Sequence, residues 1–453
     1  MIKNEEYTGT VQGLGSDGEG IIYCEGAAVF VPFCLVGEEV KFKVLKVKGN
    51  IAYGKLIEVL KPSPERVNPP CPVFGKCGGC DLQHASYAAQ LDFKRGLIKN
   101  CLLKIGGISA EVEKAVPCAE QYGYRNKISL PIGEEGAGLY ARHSHRIVPT
   151  ENCAIQKPWA ERVIAAANGF VKSSEDKKLL RHLVVREIQG KFIFALVAEK
   201  QVDARPLIKS LERDFDEFTF LININDGSGN AIFGKVWRVV KGSGFFKAEE
   251  GGIKYTAGAN TFLQVNDGVR AKLYAKVLEE AGENSVAIDL YSGGGMLTAM
   301  LAKKCKKAYG IEIVPEASRC ADELKKENGL DGKMTNICGK VEEQIEKVIS
   351  ETAGEKRVIV CDPPRKGMER SVVYAIKNSG AEKVILISCN PATLARDLGV
   401  LCGTLEEKGG ELIKSPSPDG VYEIESITPY DMFPQTKHVE TLVVLSKVQK
   451  EGF

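Results

Sequence analysis

The run Ser388-Cys389-Asn390-Pro391 sets a thiol directly before two residues that open helices. Asparagine is a favoured N-cap and proline a favoured first helical residue. A cysteine at that point meets the positive end of the helix dipole, which favours its thiolate and lowers its pKa. Such a thiolate suits attack on an electron-poor pyrimidine. Carbon 5 of uracil is too weak a nucleophile to take a methyl group from a sulfonium unaided. Thiolate addition at carbon 6 creates an enolate whose carbon 5 can do so, splitting one hard step into easier ones. A general base must then remove the carbon 5 proton before the thiol leaves. Lys437-His438-Val439-Glu440-Thr441 offers Glu440 for that task, the plainer reading being a solvated edge glutamate. Between the two lies Cys361-Asp362-Pro363-Pro364-Arg365-Lys366-Gly367. Methyltransferases acting on exocyclic amines place an aromatic after a similar Asp-Pro-Pro to stack on the base; Arg365 stands there instead and disfavours amine methylation.

A second group points to a cofactor. Asp289-Leu290-Tyr291-Ser292-Gly293-Gly294-Gly295 ends an apolar run and opens a helical one. Glycines at such a turn let the backbone approach a ligand at the carboxyl end of a parallel sheet. Glu312 follows 23 residues after Asp289, where a carboxylate can accept from ribose hydroxyls. The pyrophosphate fingerprint of dinucleotide enzymes is not present. A ligand with a ribose and no pyrophosphate is favoured, S-adenosylmethionine among them. A third group, Cys71, Cys77 and Cys80, sits amid Gly78-Gly79 and needs a fourth ligand to hold zinc or an iron–sulfur cluster.

Elements must position these groups. From 285 onward, strands at 285–290, 308–313, 357–362 and 383–388 alternate with helices such as 296–303 and 315–328, which predicts a parallel sheet covered on both faces. Two closing strands, 421–427 and 439–445, are joined too closely for a helical crossover and predict an antiparallel edge hairpin. Residues 1–60 alternate in period two between glycine turns, which predicts a small antiparallel barrel. Prolines at 62, 64, 69 and 70 read as a linker. The pattern over 81–260 mixes a helix from Tyr87 with strands such as 192–197 and assigns no fold.

The 453 residues predict about three domains. A formal net charge of +2 excludes a globally basic nucleic-acid coat. It conceals a local asymmetry, because residues 1–60 hold six lysines, no arginine and eight acids, while residues 91–150 hold nine Lys plus Arg against six acids. In the latter, Tyr124-Arg125-Asn126-Lys127 and Arg142-His143-Ser144-His145-Arg146 suit phosphate contact. No apolar run approaches a membrane span and the N-terminus lacks a signal-like apolar region, so a cytoplasmic location with reduced thiols is expected. Of the fourteen cysteines, those outside the groups above read as buried and inert, Cys305, Cys320, Cys338 and Cys402 in particular.

Taken in order, Asp362-Pro363-Pro364-Arg365, Ser388-Cys389-Asn390-Pro391 and His438-Val439-Glu440-Thr441 resemble the bacterial RNA uracil-5-methyltransferases, over nearly the whole chain. The resemblance implies Cys389 as nucleophile and Glu440 as base, and carries cofactor contacts onto Gln264, Tyr291, Glu312 and Asp362. Met296, where relatives often have a small polar residue, is left outside the site. The resemblance also implies a [4Fe–4S] cluster on Cys71, Cys77, Cys80 and Cys153, the last in Cys153-Ala154-Ile155-Gln156, with His84 as a conceivable substitute. The implied fold class is α/β, a Rossmann-like S-adenosylmethionine-dependent methyltransferase domain (261–453) with an N-terminal OB-like TRAM β-barrel (1–60) and an α+β central domain (61–260). The implied substrate is RNA, 23S ribosomal RNA rather than transfer RNA, with the uridine leaving its stack to reach Cys389. No DNA, membrane or obligatory protein partner is expected. Two alternatives stay open: RNA cytosine-C5 methylation, whose enzymes place the nucleophile where this chain has Pro364, and an inactive cluster-bearing RNA-binding protein.

Overall fold

In the computed structural model, which describes residues 1–227, 229, 231–416 and 420–449, alternation over the first sixty residues becomes a six-stranded sheet. Its strands are β1 (Glu6–Thr10), β2 (Gly13–Leu14), β3 (Gly20–Cys24), β4 (Ala27–Val31), β5 (Glu39–Lys48) and β6 (Ile51–Lys61), in the order β1-β5-β6-β4-β3-β2. Every second residue faces inward, so Ile22, Val29, Val31, Val40, Phe42 and Val44 make one small core. One pair departs from the antiparallel expectation: β4 and β6 run parallel. The proline-bearing stretch is tied down as well. Arg66 forms a two-pronged pair with the buried Glu38 carboxylate and donates to the Phe33 carbonyl at 2.8 Å.

Helix α1 (Tyr87–Cys101) is capped by Ser86, whose hydroxyl accepts from Ala89 N, and a π-helical turn over Leu102–Gly106 prolongs it. The central sheet follows: β7 (Lys127–Gly133), β8 (Gly136–Tyr140), β9 (Ile147–Pro149), helix α2 (Trp159–Ser173), β10 (Leu180–Ile188), β11 (Lys191–Ala198), helix α3 (Arg205–Leu211), β12 (Phe218–Ile224) and β13 (Val236–Lys241). Seven strands stand in the order β13-β12-β11-β10-β7-β8-β9. One face of this sheet packs under α2 and α3 through Ile128, Leu130, Leu183, Val185, Phe194 and Phe220. Val184, Ile188, Ile193, Ala195 and Leu221 point the other way, into a core shared with the C-terminal part of the chain. A hairpin, β14 (Phe245–Glu250) and β15 (Ile253–Gly258), and helix α4 (Asp267–Ala281) lead into that part.

There β16 (Val286–Leu290), α5 (Met296–Lys304), β17 (Lys307–Glu312), α6 (Pro315–Glu327), β18 (Met334–Cys338), α7 (Val341–Glu351), β19 (Arg357–Cys361), α8 (Arg370–Asn378), β20 (Lys383–Ser388) and α9 (Pro391–Leu401) alternate. A small hairpin, β21 (Leu405–Lys408) and β22 (Glu411–Lys414), precedes β23 (Tyr422–Tyr430) and β24 (Glu440–Lys447). The sheet order is β18-β17-β16-β19-β20-β24-β23. Its first five strands are parallel, and β24 runs antiparallel between β20 and β23. Strand β16 is buried at every residue, as a doubly covered parallel strand requires. Ile98 and Leu102, from α1 and its extension, join the core on one face of this sheet. Among the described residues no helix is long and apolar enough to cross a membrane.

The loop between β23 and β24 is the molecule's main junction. Gln435, in the left-handed region at φ 70°, exchanges hydrogen bonds with Gln90 of α1 at 3.0 Å, and its carbonyl accepts from Asp81 N and Leu82 N. The Pro434 carbonyl accepts from the Tyr124 hydroxyl and the Met432 carbonyl from the Asn266 side chain. Lys94 donates to Asp431 at 2.5 Å with both side chains fully buried. Lys437 reaches Asp17 of the barrel at 2.6 Å.

Candidate active site and thiol cavity

Strand register brings the two candidate catalytic residues together. Ser388 pairs with Thr441 across β20 and β24, so one further step sets Cys389 opposite Glu440. Asn390 caps α9, its side chain accepting from Ala392 N at 3.1 Å and donating to the Arg365 carbonyl at 2.9 Å. That bond fixes the Asp362–Gly367 loop against the start of α9. Glu440 is 3% exposed, and one of its carboxylate oxygens has no partner among the described residues. Burial, with the charge of Asp362, pushes the Glu440 carboxyl up to about 8, against the pull of Arg365.

The same surroundings correct the expectation for Cys389. Its thiol lies above the ordinary range, because burial and then the neighbouring Glu440 charge outweigh Arg365 and the local backbone.

The cofactor-type residues gather at the carboxyl ends of β16, β17 and β19. Tyr291 takes a left-handed φ of 66°, a rare conformation for a bulky residue, and Gly293 and Gly295 follow it at 54° and 81°. A Cβ on Gly295 would lie 2.6 Å from the Ala321 Cβ, so only glycine lets α5 and α6 approach there. Glu312 is anchored through both oxygens, accepting from Gly293 N at 2.9 Å and Val314 N at 2.7 Å. Its remaining lone pairs stay available to hydroxyl donors. Asp362 is driven by burial up to about 7. Gln264 lies just before α4, where its carbonyl accepts from Arg270 at 2.7 Å; Phe262, two residues earlier, is 76% exposed.

Two further residues join this group: Asp289, which the sequence placed in the glycine motif without a role, and Tyr274, which it did not single out. Asp289 accepts from the Thr298 hydroxyl at 2.5 Å, and burial, with the charges of Asp362 and Glu312, carries it up to about 7. Its signal was an acid inside the apolar run Val286-Ala287-Ile288-Asp289-Leu290. Tyr274 of α4, whose hydroxyl feels Asp362 and Asp289, lies far off in sequence and carried no local signal.

Cys71, Cys77, Cys80 and Cys153 line one cavity of about 220 Å³, together with Gln83, Arg125, Lys127 and Gln156. Burial raises the thiols of Cys77 and Cys80 and lifts Cys153 to about 11, and the charges of the other cysteines in the set add to each. Among the described residues no His, Cys, Asp or Glu set closes tightly enough to chelate a single ion. His84 does not line the cavity. It is buried with both ring nitrogens unpartnered, edge-on to Phe33 and tilted against Phe74. Arg125 Nε, Gln156 Oε1, Ser129 Oγ and two nitrogens of the nearby Arg186 are also buried without partners.

The run Tyr124-Arg125-Asn126-Lys127 is therefore no surface phosphate patch. Tyr124 and Asn126 are buried, and Arg125 and Lys127 face the thiols. Burial, with the charges of Arg186 and Arg125, brings Lys127 down to about 8. In the other basic run, residues 143–146 are exposed, while Arg142 pairs with Asp81 at 2.9 Å and lies over the Phe33 ring. All fourteen cysteines are free, and Cys320 and Cys338 are exposed rather than buried.

Residues 86–448 match the family model of tRNA (uracil-5-)-methyltransferases, and residues 3–57 match the TRAM domain. A relative from Clostridium tetani, described as an uncharacterised RNA methyltransferase, is 38% identical over 98% of this chain and 97% of its own length. One from Clostridium acetobutylicum with the same description is 34% identical over 99% and 98%. Among solved structures, the Pyrococcus abyssi tRNA (uracil-54, C5)-methyltransferase in complex with S-adenosyl-L-homocysteine superposes with a TM-score of 0.76. It is 25% identical and covers 97% of this chain and 99% of its own. The match of model, relatives and fold across nearly the entire length makes this chain a member of the tRNA (uracil-5-)-methyltransferase family, an S-adenosylmethionine-dependent RNA methyltransferase with an N-terminal TRAM domain.

Proposed function

We propose that the protein methylates carbon 5 of a uridine in 23S ribosomal RNA through a covalent adduct on Cys389. The reading rests chiefly on the register that sets Cys389 opposite Glu440, beside the carboxyl ends of the cofactor strands. Cys389 Sγ, as thiolate, bonds to carbon 6 of the flipped uracil, and the electron pair of the carbon 5–carbon 6 double bond moves into an enolate. S-adenosylmethionine supplies the electrophilic methyl group that carbon 5 then takes. Glu440 accepts the carbon 5 proton, the double bond re-forms, and Cys389 leaves as thiolate. Arg365, whose charge favours both the thiolate and the carboxylate, steadies the two anions this sequence needs. Gln264, Tyr291, Glu312 and Asp362 are assigned to the cofactor, with Glu312 the acceptor for ribose hydroxyls.

Transfer RNA is the second reading, favoured by the likeness to the Pyrococcus abyssi enzyme. Mapping 5-methyluridine in ribosomal and transfer RNA from cells with and without the protein decides between them. Loss of the mark from one ribosomal position is the expected result; loss from transfer RNA supports the second reading, and 5-methylcytidine as product overturns both.

For the thiol cavity, we assign Cys71, Cys77, Cys80 and Cys153 as ligands of a [4Fe–4S] cluster. The four thiols share one cavity with Arg125 and Lys127, whose charges suit a group that is net negative with its thiolates. The cluster's contribution is structural or RNA-positioning, since methyl transfer moves no net electron. Protein purified without oxygen should be brown and hold iron and sulfide; stoichiometric zinc instead would overturn the assignment.

A further inference from the structure

The run His438-Val439-Glu440-Thr441 gives the reaction above its proposed base and leaves its histidine without a task. Alternation along β24 sends Val439, Val443 and Leu445 to one face of the sheet and Leu442 and Val444 to the other. His438 therefore shares the second side with Glu440. The Phe433 ring, packed on that side, stands edge-on to the imidazole at 6.2 Å. The turn that carries the histidine is fixed. Thr436 Oγ1 donates to the Phe433 carbonyl at 2.8 Å and accepts from His438 N at 3.3 Å, and Lys437 N donates to Asp81 at 3.3 Å. The side chain is half-buried rather than sealed in the core. Four charged groups act on it: Arg365, Asp81, Lys437 and Lys94. Arg365 also acts on Cys389 and Glu440, so the proposed nucleophile, the proposed base and this imidazole share one guanidinium. Burial, then the charge of Arg365, brings His438 down to about 4. The ring is neutral near pH 7, with one nitrogen donating and the other accepting.

We infer that His438 is a further catalytic residue, its ring N–H donating to the carbon 4 oxygen of the uracil as the enolate forms, an inference that rests on the Cys389 reaction proposed above. Thiolate addition at carbon 6 moves the electron pair of the carbon 5–carbon 6 double bond toward carbon 5 and, by conjugation, onto the oxygen at carbon 4. A donor aimed at that oxygen binds the enolate more strongly than the uracil it came from, and so lowers the barrier to addition. Two residues of extended chain separate His438 from Glu440, roughly 7 Å. That span lets the carboxylate meet the carbon 5 proton while the imidazole meets the neighbouring carbonyl. Neutrality suits the task. A neutral imidazole N–H is a weak acid that keeps its proton, so the enolate is not quenched to an enol and carbon 5 stays nucleophilic toward the methyl group. The step is a hydrogen bond only, and no proton passes to or from His438.

The test compares the full-length enzyme with its His438→Leu and His438→Asn variants in single turnovers on substrate RNA. His438→Leu keeps bulk and loses the donor, and should slow methyl transfer by about 10²–10³ with the Kd for RNA unchanged. Adduct formation with RNA carrying 5-fluorouridine should slow in step, because the enolate forms there. His438→Asn, which returns an N–H near the same place, should regain most of the rate. A target 4-thiouridine supplies a second probe, since sulfur accepts a hydrogen bond weakly. It should slow the wild-type enzyme and add little to the defect of His438→Leu, the two changes removing one and the same bond. Wild-type rates in His438→Leu would overturn the assignment, as would a defect confined to RNA affinity. Additive effects of the leucine and the thiocarbonyl would overturn it too, as would an asparagine variant as slow as the leucine one with a lowered melting temperature. Failure of the wild-type enzyme to form an adduct through Cys389 would instead overturn the reading on which the inference rests.

Discussion

At the scale of single residues, the proposed reaction gives Cys389 and Glu440 different jobs, and their substitutions separate. Cys389→Ala removes the atom proposed to bond to carbon 6, so no covalent complex should form with RNA carrying 5-fluorouridine, and turnover should stop. A complex that survives the change would refute the nucleophile. Glu440→Gln leaves the thiol in place and removes the acceptor for the carbon 5 proton. Addition and methyl transfer then proceed and elimination stalls. The expected observation is a denaturant-stable enzyme–RNA adduct on ordinary uridine RNA, with turnover slowed by about 10²–10⁴; fast turnover without adduct would remove Glu440 from the role of base. Arg365 acts on both through charge alone. Its replacement by Met raises both pKa values further, and the rising limb of the pH–rate profile should move to higher pH. An unmoved limb would show that the anions are stabilised by something else.

At the scale of elements, the strand ends collect acids that burial holds above the ordinary carboxyl range. Asp289 and Asp362 sit at about 7, well above the ordinary carboxyl range. Folding thus favours their protonated forms, and the stability they contribute, present at low pH, is lost as pH rises through about 7. A sulfonium cation bound beside them, as the proposed cofactor site places it, would favour the ionised forms. Binding of S-adenosylmethionine should therefore release protons at about pH 6.5, and affinity should rise with pH toward 8. Calorimetry in two buffers of different ionisation enthalpy measures this; proton uptake would contradict the arrangement. How far these elements were legible follows from the same physics. Strands β16, β17, β19 and β20 are continuous apolar runs, legible to within a residue. Edge strand β18, Met334–Cys338, is short and half polar, with no period to reveal it. The central sheet mixes a parallel pair, β11 with β12, into antiparallel neighbours, and no local pattern encodes that crossover. Tyr124-Arg125-Asn126-Lys127 misled because charge usually marks a surface, whereas here it faces a cavity of thiols. The raised Cys389 thiol was hidden for a related reason: desolvation is a property of the packed molecule, not of the four residues around the sulfur.

At the scale of the whole molecule, the loop that delivers Glu440 is held by every other part. The cysteine segment binds it through Asp81 and Leu82, α1 through Gln90 and Lys94, the central region through Tyr124, α4 through Asn266 and the barrel through Asp17. Gln435 keeps its left-handed backbone because bonds at its nitrogen, carbonyl and side chain over-determine it. Removing the proposed cluster should therefore cost activity by loosening this loop. A cluster-depleted preparation is expected to show a lower melting temperature and a lower kcat together; unchanged kcat after complete iron loss would uncouple the two. The sharper probe is the buried pair Lys94–Asp431. Its ammonium is fully desolvated, which lowers its pKa and leaves Asp431 as its compensating charge. Lys94→Met strands that carboxylate in the interior and should destabilise by about 3–5 kcal/mol. Adding Asp431→Asn removes the stranded charge, so the double variant should be more stable than Lys94→Met alone. It should not recover full kcat, because the 3.0 Å bond from Lys94 to the Phe433 carbonyl is still missing. A double variant that regains both stability and kcat would mean that the pair serves folding alone and that the Glu440 loop is positioned without it.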